Sequence, residues 1–166
     1  MQPPDPGATD LADFDETFRE SYWPMVRSLA VAFGDCAVAE DAVQDAFERA
    51  FVRWRRIARY DDPAGWIRHV ALNRIRDQFR RDTRKHRAVE RLAAETEMTV
   101  PAPEIAVDVT VLLAALPQQQ RIAAALFYVE GLSVREVATS MKLSEGAVKY
   151  HLHAARAALA QLVGTP

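Results

Sequence analysis

The spacing of apolar residues constrains the fold of this chain more than any other feature. Across its 166 residues, apolar side chains recur every three or four positions, whereas the alternation typical of a β-strand is almost absent. Three long stretches with this period, at about 11–33, 37–57 and 64–86, predict amphipathic helices, and a fourth follows Ser144. The pattern predicts an all-α fold.

Local signals mark the ends of these helices. Gly34 is placed to end the first helix, and Pro24 should kink or restart it. Asp62 followed by Pro63 is typical of an N-cap and the first position of the third helix. The core-facing side of the second helix is predicted to carry Ala39, Ala42, Val43, Ala46, Phe47, Ala50, Phe51, Trp54 and Ile57.

A second group of helices follows a linker. Residues 92–108 contain two prolines and several acids and lack clear helical spacing, which indicates an extended linker and a domain boundary. A short helix over about 109–115 is predicted next. Pro117 then opens a helix that runs to about Val129 and ends at Gly131.

The last two helices have the arrangement of a helix-turn-helix. Ser133 and Glu136 have capping-box spacing and start a helix over about 134–141. Ser144 caps a longer helix after a turn of about four residues. A helical hairpin used for packing is the simpler interpretation, but caps and spacing together favour a DNA-binding motif.

Charge is divided unevenly along the chain, although the formal net charge is only −2. Residues 1–48 carry two arginines against eleven acids, and residues 49–91 carry fourteen lysines and arginines against five acids. A segment with such an excess of positive charge can bind a polyanion, whereas the acidic segment would be repelled by one. The two segments are therefore predicted to contact different partners.

Two aromatic residues lie beside the basic segment. Tyr60 and Trp66 can stack on unpaired bases, a combination with arginine that suits single-stranded nucleic acid. Trp66 also adjoins Ile67 and Val70, so a core position for it is an equal alternative.

Several chemistries lack their sequence signatures. The single cysteine, Cys36, cannot form an internal disulfide or a cysteine-rich zinc site. None of the four histidines is spaced with the acidic stripe Glu40, Asp41, Asp45 and Glu48 to form a metal site, and no nucleophile elbow or phosphate-binding glycine loop occurs. The sequence therefore predicts no catalysis and no cofactor. The single cysteine favours a reducing cytoplasm, and without an apolar run of about 18 residues no membrane insertion is expected.

Two blocks of sequence resemble a known family. The first is GDCAVAEDAVQDAFERAFVRW followed by RYDDPAGWIRHVALNRIRDQFRR. The second, after the linker, is LPQQQRIAAALFYVEGLSVREVATSMKLSEGAVKYHLHAARAAL. In this order, over about residues 14–162, the chain resembles a bacterial sigma-70 family factor of the extracytoplasmic-function (ECF) type.

The resemblance implies two small helical domains and their partners. Region 2 of the family would occupy residues 11–91 and region 4 residues 109–163, joined by the linker 92–108 and preceded by a disordered segment, 1–10. The implied partners are core RNA polymerase, through the clamp helices of its largest subunit and its flap, and promoter DNA. An anti-sigma factor that holds the protein inactive is also implied.

The resemblance also assigns roles to residues. Those implied to contact polymerase are Asp41, Gln44, Asp45, Phe47 and Glu48. Those implied to recognise and melt the minus-ten element, with Asn73 reading a base and the arginines on phosphates, are Tyr60, Asp62, Trp66, Asn73, Arg74, Arg76, Arg80 and Arg81. Those implied to bind the minus-thirty-five element are Ser144, Lys149, Tyr150, His153 and Arg156.

Three other functions stay open at this stage. A self-sufficient helix-turn-helix regulator would bind duplex DNA tightly without polymerase. A metal-dependent phosphohydrolase would use the acidic stripe and lose turnover on Asp41→Ala or Asp45→Ala. A pure interaction module would leave the C-terminal motif as a coincidence.

Overall fold

The computed structural model describes residues 6–89 and 104–164, and every regular element within these ranges is helical. The first range, which we name the first lobe, contains α1 (Pro6–Phe33), α2 (Cys36–Val52), α3 (Trp54–Ile57) and α4 (Pro63–Val89). The second lobe contains α5 (Glu104–Ala114), α6 (Gln118–Ala124) with a π-helical turn (Ala125–Val129), α7 (Val134–Met141) and α8 (Glu145–Val163). Among the described helices, none is long and apolar enough to cross a membrane.

The first lobe is centred on α2, which packs against both α1 and α4. Its core contains fully buried side chains from all three helices, including Met25, Leu29, Val43, Ile67 and Ile75. Burial of a large apolar side chain contributes about 1.5–3 kcal/mol. The apolar faces predicted from the spacing are therefore what holds these helices together.

The ends of α1 and α4 follow local signals. Gly34 adopts φ 71°, in the left-handed region, and its N–H donates to the Ala30 carbonyl at 2.8 Å, which ends α1 as predicted. Asp62 accepts a hydrogen bond from the N–H of Gly65 at 2.8 Å, which confirms the N-cap of α4. Pro24 was predicted to kink or restart the first helix; the restart is wrong, because α1 continues through this residue.

The second predicted helix is divided in two. Helix α2 ends at Val52, where the N–H of Arg53 donates to the Ala50 carbonyl at 3.1 Å, and the separate short helix α3 begins at Trp54. Trp54 on α3 is buried as predicted, but the core assignment of Phe51 is wrong, since this side chain is 53% exposed. The inward face of α2 stops at Ala50, and Phe51 contacts only the edge of that core, with its ring 5.1 Å from that of Phe14.

The helix-turn-helix is formed as predicted. Ser133 Oγ accepts from the N–H of Glu136 at 3.2 Å, and the Glu136 carboxylate accepts from the N–H of Ser133 at 2.7 Å, which completes the capping box of α7. Lys142, at φ 51°, ends α7, and Ser144 Oγ caps α8 by accepting from the N–H of Ala147 at 3.1 Å.

The start of the second lobe differs from the prediction. Helix α5 begins at Glu104, inside the segment 92–108 that was predicted to be linker. Ile105, Ala106 and Val107 continue the apolar pattern toward the N-terminus of this helix, next to the prolines that suggested a linker. The rest of the predicted linker, and the N-terminal residues 1–5, lie outside the described residues.

The two lobes are in contact with each other. Helix α4 packs on α7, and α1 packs on the π-helical turn, on α5 and on α6. The prediction of two domains on an extended linker did not include this contact. It places the helix-turn-helix directly against the basic helix α4.

Candidate nucleic-acid interface

One side of α4 carries a row of chemically distinct side chains. Trp66, His69, Asn73, Arg76 and Arg80 follow one another at spacings of three or four residues and therefore share a face of the helix. Asn73 and Arg80 are exposed, while Trp66 is half-buried against the first lobe's core. Trp66 therefore has features of both predicted positions, since it packs on the core and also lines a cleft where a base could stack.

Asn73 is held by a hydrogen bond within this row. Its amide Nδ2 lies 2.9 Å from Nε2 of His69, and Nδ1 of His69 lies 2.9 Å from the carbonyl oxygen of Ser140 on α7. Because a carbonyl can only accept, Nδ1 carries the hydrogen and Nε2 of the neutral ring accepts from Asn73. Burial, and the charges of Lys142 and Arg76, lower the pKa of His69, although the Ser140 carbonyl raises it.

A cleft of about 640 Å³ separates the start of α4 from α7. Its walls carry Tyr60, Asp61, Asp62, Trp66 and His69 on one side and Arg135, Glu136, Thr139 and Lys142 on the other. Three of the residues predicted to bind the minus-ten element therefore line one cleft: Tyr60, Asp62 and Trp66. The second oxygen of Asp62, Oδ2, is buried there without a hydrogen-bond partner.

The predicted phosphate-binding arginines have different surroundings. Arg80 and Arg81 are exposed, whereas Nη1 of Arg74 lies 3.0 Å from Oδ2 of Asp45 on α2. A groove of about 330 Å³ runs beside them, lined by Arg49, Val70, Asn73, Arg74, Asp77, Gln78 and Arg81. Exposed guanidinium groups around an amide can hold a phosphate backbone next to a base.

Arg76 is engaged by the second lobe. Its guanidinium donates to the side chain of Gln119 on α6 at 3.2 Å. Burial, and then the charge of Arg80, lower its pKa. Arg76 is therefore less available for phosphate in this arrangement than Arg80 or Arg81.

The acidic side of α2 forms a separate surface. Asp41, Gln44 and Glu48 are exposed, and Asp45 is paired with Arg49 at 2.9 Å. Burial, followed by the charges of Glu40 and Asp41, raises the pKa of Tyr22, which shows the negative field of this region.

The prediction that Phe47 contacts polymerase is corrected here, because this side chain is buried. Its side chain is 3% exposed, and its ring lies 5.1 Å from that of Phe18 and 5.8 Å from that of Tyr22. As part of this aromatic core it supports the acidic side of α2 from beneath and presents no surface to a partner.

Two residues that the sequence reasoning did not assign to a binding surface, Phe51 and Val52, extend the acidic surface. Phe51 and Val52 are 53% and 83% exposed and follow Glu48 along the same side of α2. Both line a groove of mixed character, together with Leu11, Phe14, Asp10, Arg53, Arg55 and Arg56. Exposed apolar side chains next to charged ones are typical of a protein-docking surface. The sequence signal that could have identified these two residues is their position at the end of α2.

The metal-site interpretation of the acidic stripe can be compared with the geometry. Within residues 6–89 and 104–164, no group of three or more histidine, cysteine, aspartate or glutamate side chains is placed to hold a metal ion. Asp45 is instead placed between two arginines, Arg49 and Arg74.

The exposed side of α8 carries the residues predicted to bind duplex DNA. Lys149, His153 and Arg156 lie on one face, with Tyr150 beside them and 68% exposed. Arg156 donates to the hydroxyl of Tyr128 at 3.1 Å. The N-terminal residues of such a helix contact base edges in the major groove, and Lys149 and Tyr150 lie in this part of α8, in its second turn.

Family models match both lobes. The model described as "Sigma-70 region 2" matches residues 18–85, and the model described as "Sigma-70, region 4" matches residues 106–159. Together they cover most of the chain. The protein is a member of the sigma-70 family, of the ECF type, and such members are transcription initiation factors.

Curated relatives agree with this assignment. The ECF RNA polymerase sigma factor SigM of Mycobacterium tuberculosis is 31% identical over 159 residues, which span 95% of this chain and 80% of SigM. The ECF RNA polymerase sigma factor SigF of Caulobacter vibrioides is 31% identical over 140 residues, with 82% and 75% coverage. The protein named "Probable RNA polymerase sigma factor RfaY" of Xanthomonas campestris is 34% identical over 148 residues, which span 80% of this chain but only 36% of that protein.

Two solved structures share the fold. The sigma factor RpoE of Bartonella quintana, in complex with the anti-sigma factor NepR, has a TM-score of 0.76 at 21% identity, over 92% of this chain and 98% of that one. CnrH, in complex with the cytosolic domain of CnrY, has a TM-score of 0.63 at 25% identity, over 91% and 87%.

Proposed function

We propose that this sigma factor binds core RNA polymerase through α2, directs it to promoters and melts the minus-ten element on α4. The observation that carries the proposal is that α2 and α4 present surfaces of opposite charge from one lobe. A polymerase-facing acidic side and a DNA-facing basic side are what a specificity subunit requires.

The polymerase surface in this proposal consists of exposed residues of α2. Asp41, Gln44 and Glu48 supply polar contacts, and Phe51 and Val52 supply apolar area. Asp45 contributes by positioning, because it holds Arg74 on α4 at 3.0 Å. Phe47 packs beneath this surface.

The minus-ten surface consists of the α4 row and the loop before it. Asn73 is the base-reading residue, since its amide offers both donors and an acceptor to a base edge. Tyr60 and Trp66 lie where unstacked bases can pack, and Arg80 and Arg81 bind phosphates. Unstacking a base costs a few kcal/mol, which stacking and phosphate contacts must offset.

The minus-thirty-five surface is the exposed side of α8. Lys149, Tyr150 and His153 reach base edges, and Arg156 reaches the backbone. Ser144 acts through its cap, because it sets where α8 begins.

An anti-sigma factor is the expected regulator in this proposal. Both solved structures described above are complexes of a sigma factor, one with the anti-sigma factor NepR and the other with the cytosolic domain of CnrY. We expect a partner of the same kind to act on this chain.

Run-off transcription tests the proposal. Purified bacterial core polymerase is assayed on a pool of promoter fragments with the wild-type protein, with Asn73→Ala and with Thr83→Ala. Thr83 is the control on the same helix, because it is exposed, was not predicted to bind DNA, and its hydroxyl donates to the Phe79 carbonyl of its own helix at 2.8 Å. Initiation that depends on the protein, falls with Asn73→Ala and persists with Thr83→Ala supports the proposal. A protein that shifts duplex DNA alone and does not bind core polymerase would be a stand-alone regulator instead.

A further inference from the structure

The cleft between α4 and α7 has walls that a buried ion pair holds in place. Its volume of about 640 Å³ is within the range of sites that hold a small molecule. Nε and Nη2 of Arg68 on α4 donate to Oε1 of Glu130 at 2.9 and 2.6 Å, and Nη1 donates to Ser140 Oγ on α7 at 2.9 Å. Ser28 on α1 donates to Oε2 of Glu130 at 2.7 Å. Because these buried groups satisfy one another, the cleft has a defined shape.

One wall of the cleft is aromatic. Tyr60 and Trp66 both line it, and neither is fully buried. Aromatic side chains stack on planar rings, and every nucleobase offers such a ring whatever its sequence identity. This wall therefore suits a ligand with a planar aromatic group.

Two of the three acidic side chains around the cleft are engaged in capping helices. Oδ1 of Asp62 accepts from the N–H of Gly65 at 2.8 Å, and its Oδ2 is buried. Oε2 of Glu136 accepts from the N–H of Ser133 at 2.7 Å. Asp61 is exposed and forms no ion pair within the described residues. One carboxylate is thus available to accept a hydrogen bond from a ligand.

The α7 wall of the cleft supplies positive charge. Arg135 and Lys142 are both exposed, and in the part of the chain that the structure describes neither forms an ion pair. The charge of Lys142 contributes to lowering the pKa of His69, so its ammonium group acts within the cleft. Two cations without acidic partners at one edge can bind a phosphate group.

Lys142 occupies a backbone position that favours glycine. It follows the last turn of α7 at φ 51° and ψ 48°, in the left-handed region, where a Cβ atom is unfavourable. Gly34 and Gly131 adopt the same region, at φ 71° and 78°. Side chains held in this region cluster at ligand sites. A lysine here bears backbone strain that glycine would avoid, which favours a role for its ammonium group.

The base of the cleft is closed by the approach of the two helices. A Cβ atom on Gly65, in the first turn of α4, would lie 2.9 Å from Cγ2 of Thr139 on α7. A continuous strand, which has to enter and leave a site, has less room there than a single nucleotide.

We propose that this cleft binds a free nucleoside phosphate. The base stacks on Tyr60 and Trp66, the phosphates bind Arg135 and Lys142, and Asp61 accepts from an amino or hydroxyl group of the nucleoside. The site is separate from the proposed function, which initiation with core polymerase tests, so either can fail without the other.

Equilibrium dialysis of the full chain with labelled ATP and labelled GTP tests the proposal. Adenosine, which lacks phosphate, and inorganic triphosphate, which lacks a base, are the competitors. We expect saturable binding of at least one nucleotide. Each competitor should displace it about tenfold less well than the unlabelled nucleotide does, because each contains only half of the recognised groups.

Lys142→Gly separates ligand binding from folding. Glycine suits the left-handed backbone, so the Tm should not fall, whereas loss of the ammonium group should weaken nucleotide binding about tenfold. Lys142→Arg keeps the charge and should retain most of the affinity. Arg19→Ala removes an exposed arginine of α1 outside the cleft, and this control should bind like wild type.

Three results would overturn the inference: no saturable nucleotide binding up to about 1 mM, displacement by triphosphate as effective as by ATP, or wild-type affinity in Lys142→Gly. The second result would make the cleft a simple anion site. A randomised single-stranded DNA pool distinguishes the remaining source of the same groups. If the pool displaces the nucleotide and its own binding falls equally in Lys142→Gly, the cleft is a strand-binding site and the inference is wrong.

Discussion

The side chain of Asn73 lies 2.9 Å from Nε2 of His69, one turn earlier on α4, and the other ring nitrogen of His69 lies 2.9 Å from the Ser140 carbonyl on α7. The residue proposed to read a base is thus tied, through one imidazole ring, to the opposite lobe. The ionisation of His69 therefore bears on both the contact between the lobes and the orientation of Asn73.

Protonation of His69 is expected to destabilise this arrangement. Burial is the largest cause that lowers its pKa from 6.5, followed among the lowering causes by Lys142 and Arg76. The folded state therefore binds this proton less readily than the unfolded chain does. The contribution to stability is complete above the unfolded value of 6.5 and is lost as the pH falls below it.

Urea unfolding between about pH 7.5 and about pH 5 measures this effect, since histidine titrates in that window. The free energy of unfolding of wild type should fall with pH more than that of His69→Asn, whose amide can still donate to Ser140. Asp62 and Glu136 line the same cleft and are the same in both proteins, so the difference isolates His69. Equal losses in the two proteins would contradict the prediction.

Replacing Arg68 alone should lower the free energy of unfolding, and replacing Arg68 and Glu130 together should restore most of it. Arg68→Met alone leaves Glu130 buried without its partner, and breaking a buried pair in this way costs about 3–5 kcal/mol. Arg68→Met combined with Glu130→Leu replaces the pair by apolar groups and should recover most of that loss. Thermal and urea unfolding of the four proteins in the cycle measure it. Additive losses would show that the two side chains do not act as a pair.

Substitution of Arg81 should change the salt dependence of DNA binding. Arg81 is exposed beside Asn73 in the groove on α4, where we assign it to a phosphate. Arg81→Ala is expected to weaken binding of the protein to every sequence in a labelled, randomised single-stranded DNA pool and to reduce the slope of log K against log salt by about 1. An unchanged slope would place Arg81 outside the phosphate path.

Charge reversal on α2 should slow polymerase binding. In Asp41→Arg with Glu48→Arg, two exposed acids are reversed without disturbing the core. Steering charges act mainly on the association rate, so a slower association with core polymerase and a weaker dependence on salt are expected. Glu16→Arg with Glu20→Arg on α1 changes the net charge equally and is the control. If both double variants slow association alike, the acidic segment acts through its total charge and not through α2.

Helix ends were the most predictable part of the fold, because they depend on neighbours in sequence. Gly34 and the Ser133–Glu136 capping box fix their helices through contacts at most four residues away. The predicted restart at Pro24 did not occur, because the packing of α1 maintains the helix against the local preference of one residue.

Features that depend on tertiary contacts were not predictable. In the sequence, Arg68 cannot be distinguished from the other basic residues of α4, because its partner Glu130 lies 62 residues away. Phe51 fits the apolar spacing of α2, yet it lies in the last turn of the helix, beyond the buried face that ends at Ala50, and its side chain is 53% exposed. Phe47, assigned to polymerase by resemblance, belongs to the aromatic core. The spacing of apolar residues predicts which side chains share a face of a helix, but not how far neighbouring helices cover that face.

Strand opening is the most direct test of the central claim, that α4 melts the minus-ten element once the protein is bound to polymerase. A promoter selected by run-off transcription is labelled with 2-aminopurine in its minus-ten region, where fluorescence rises when the base unstacks. Core polymerase and the wild-type protein together should raise the signal, neither component alone should do so, and Asn73→Ala should reduce it. A full signal with Asn73→Ala, or a signal from the protein without polymerase, would contradict the account.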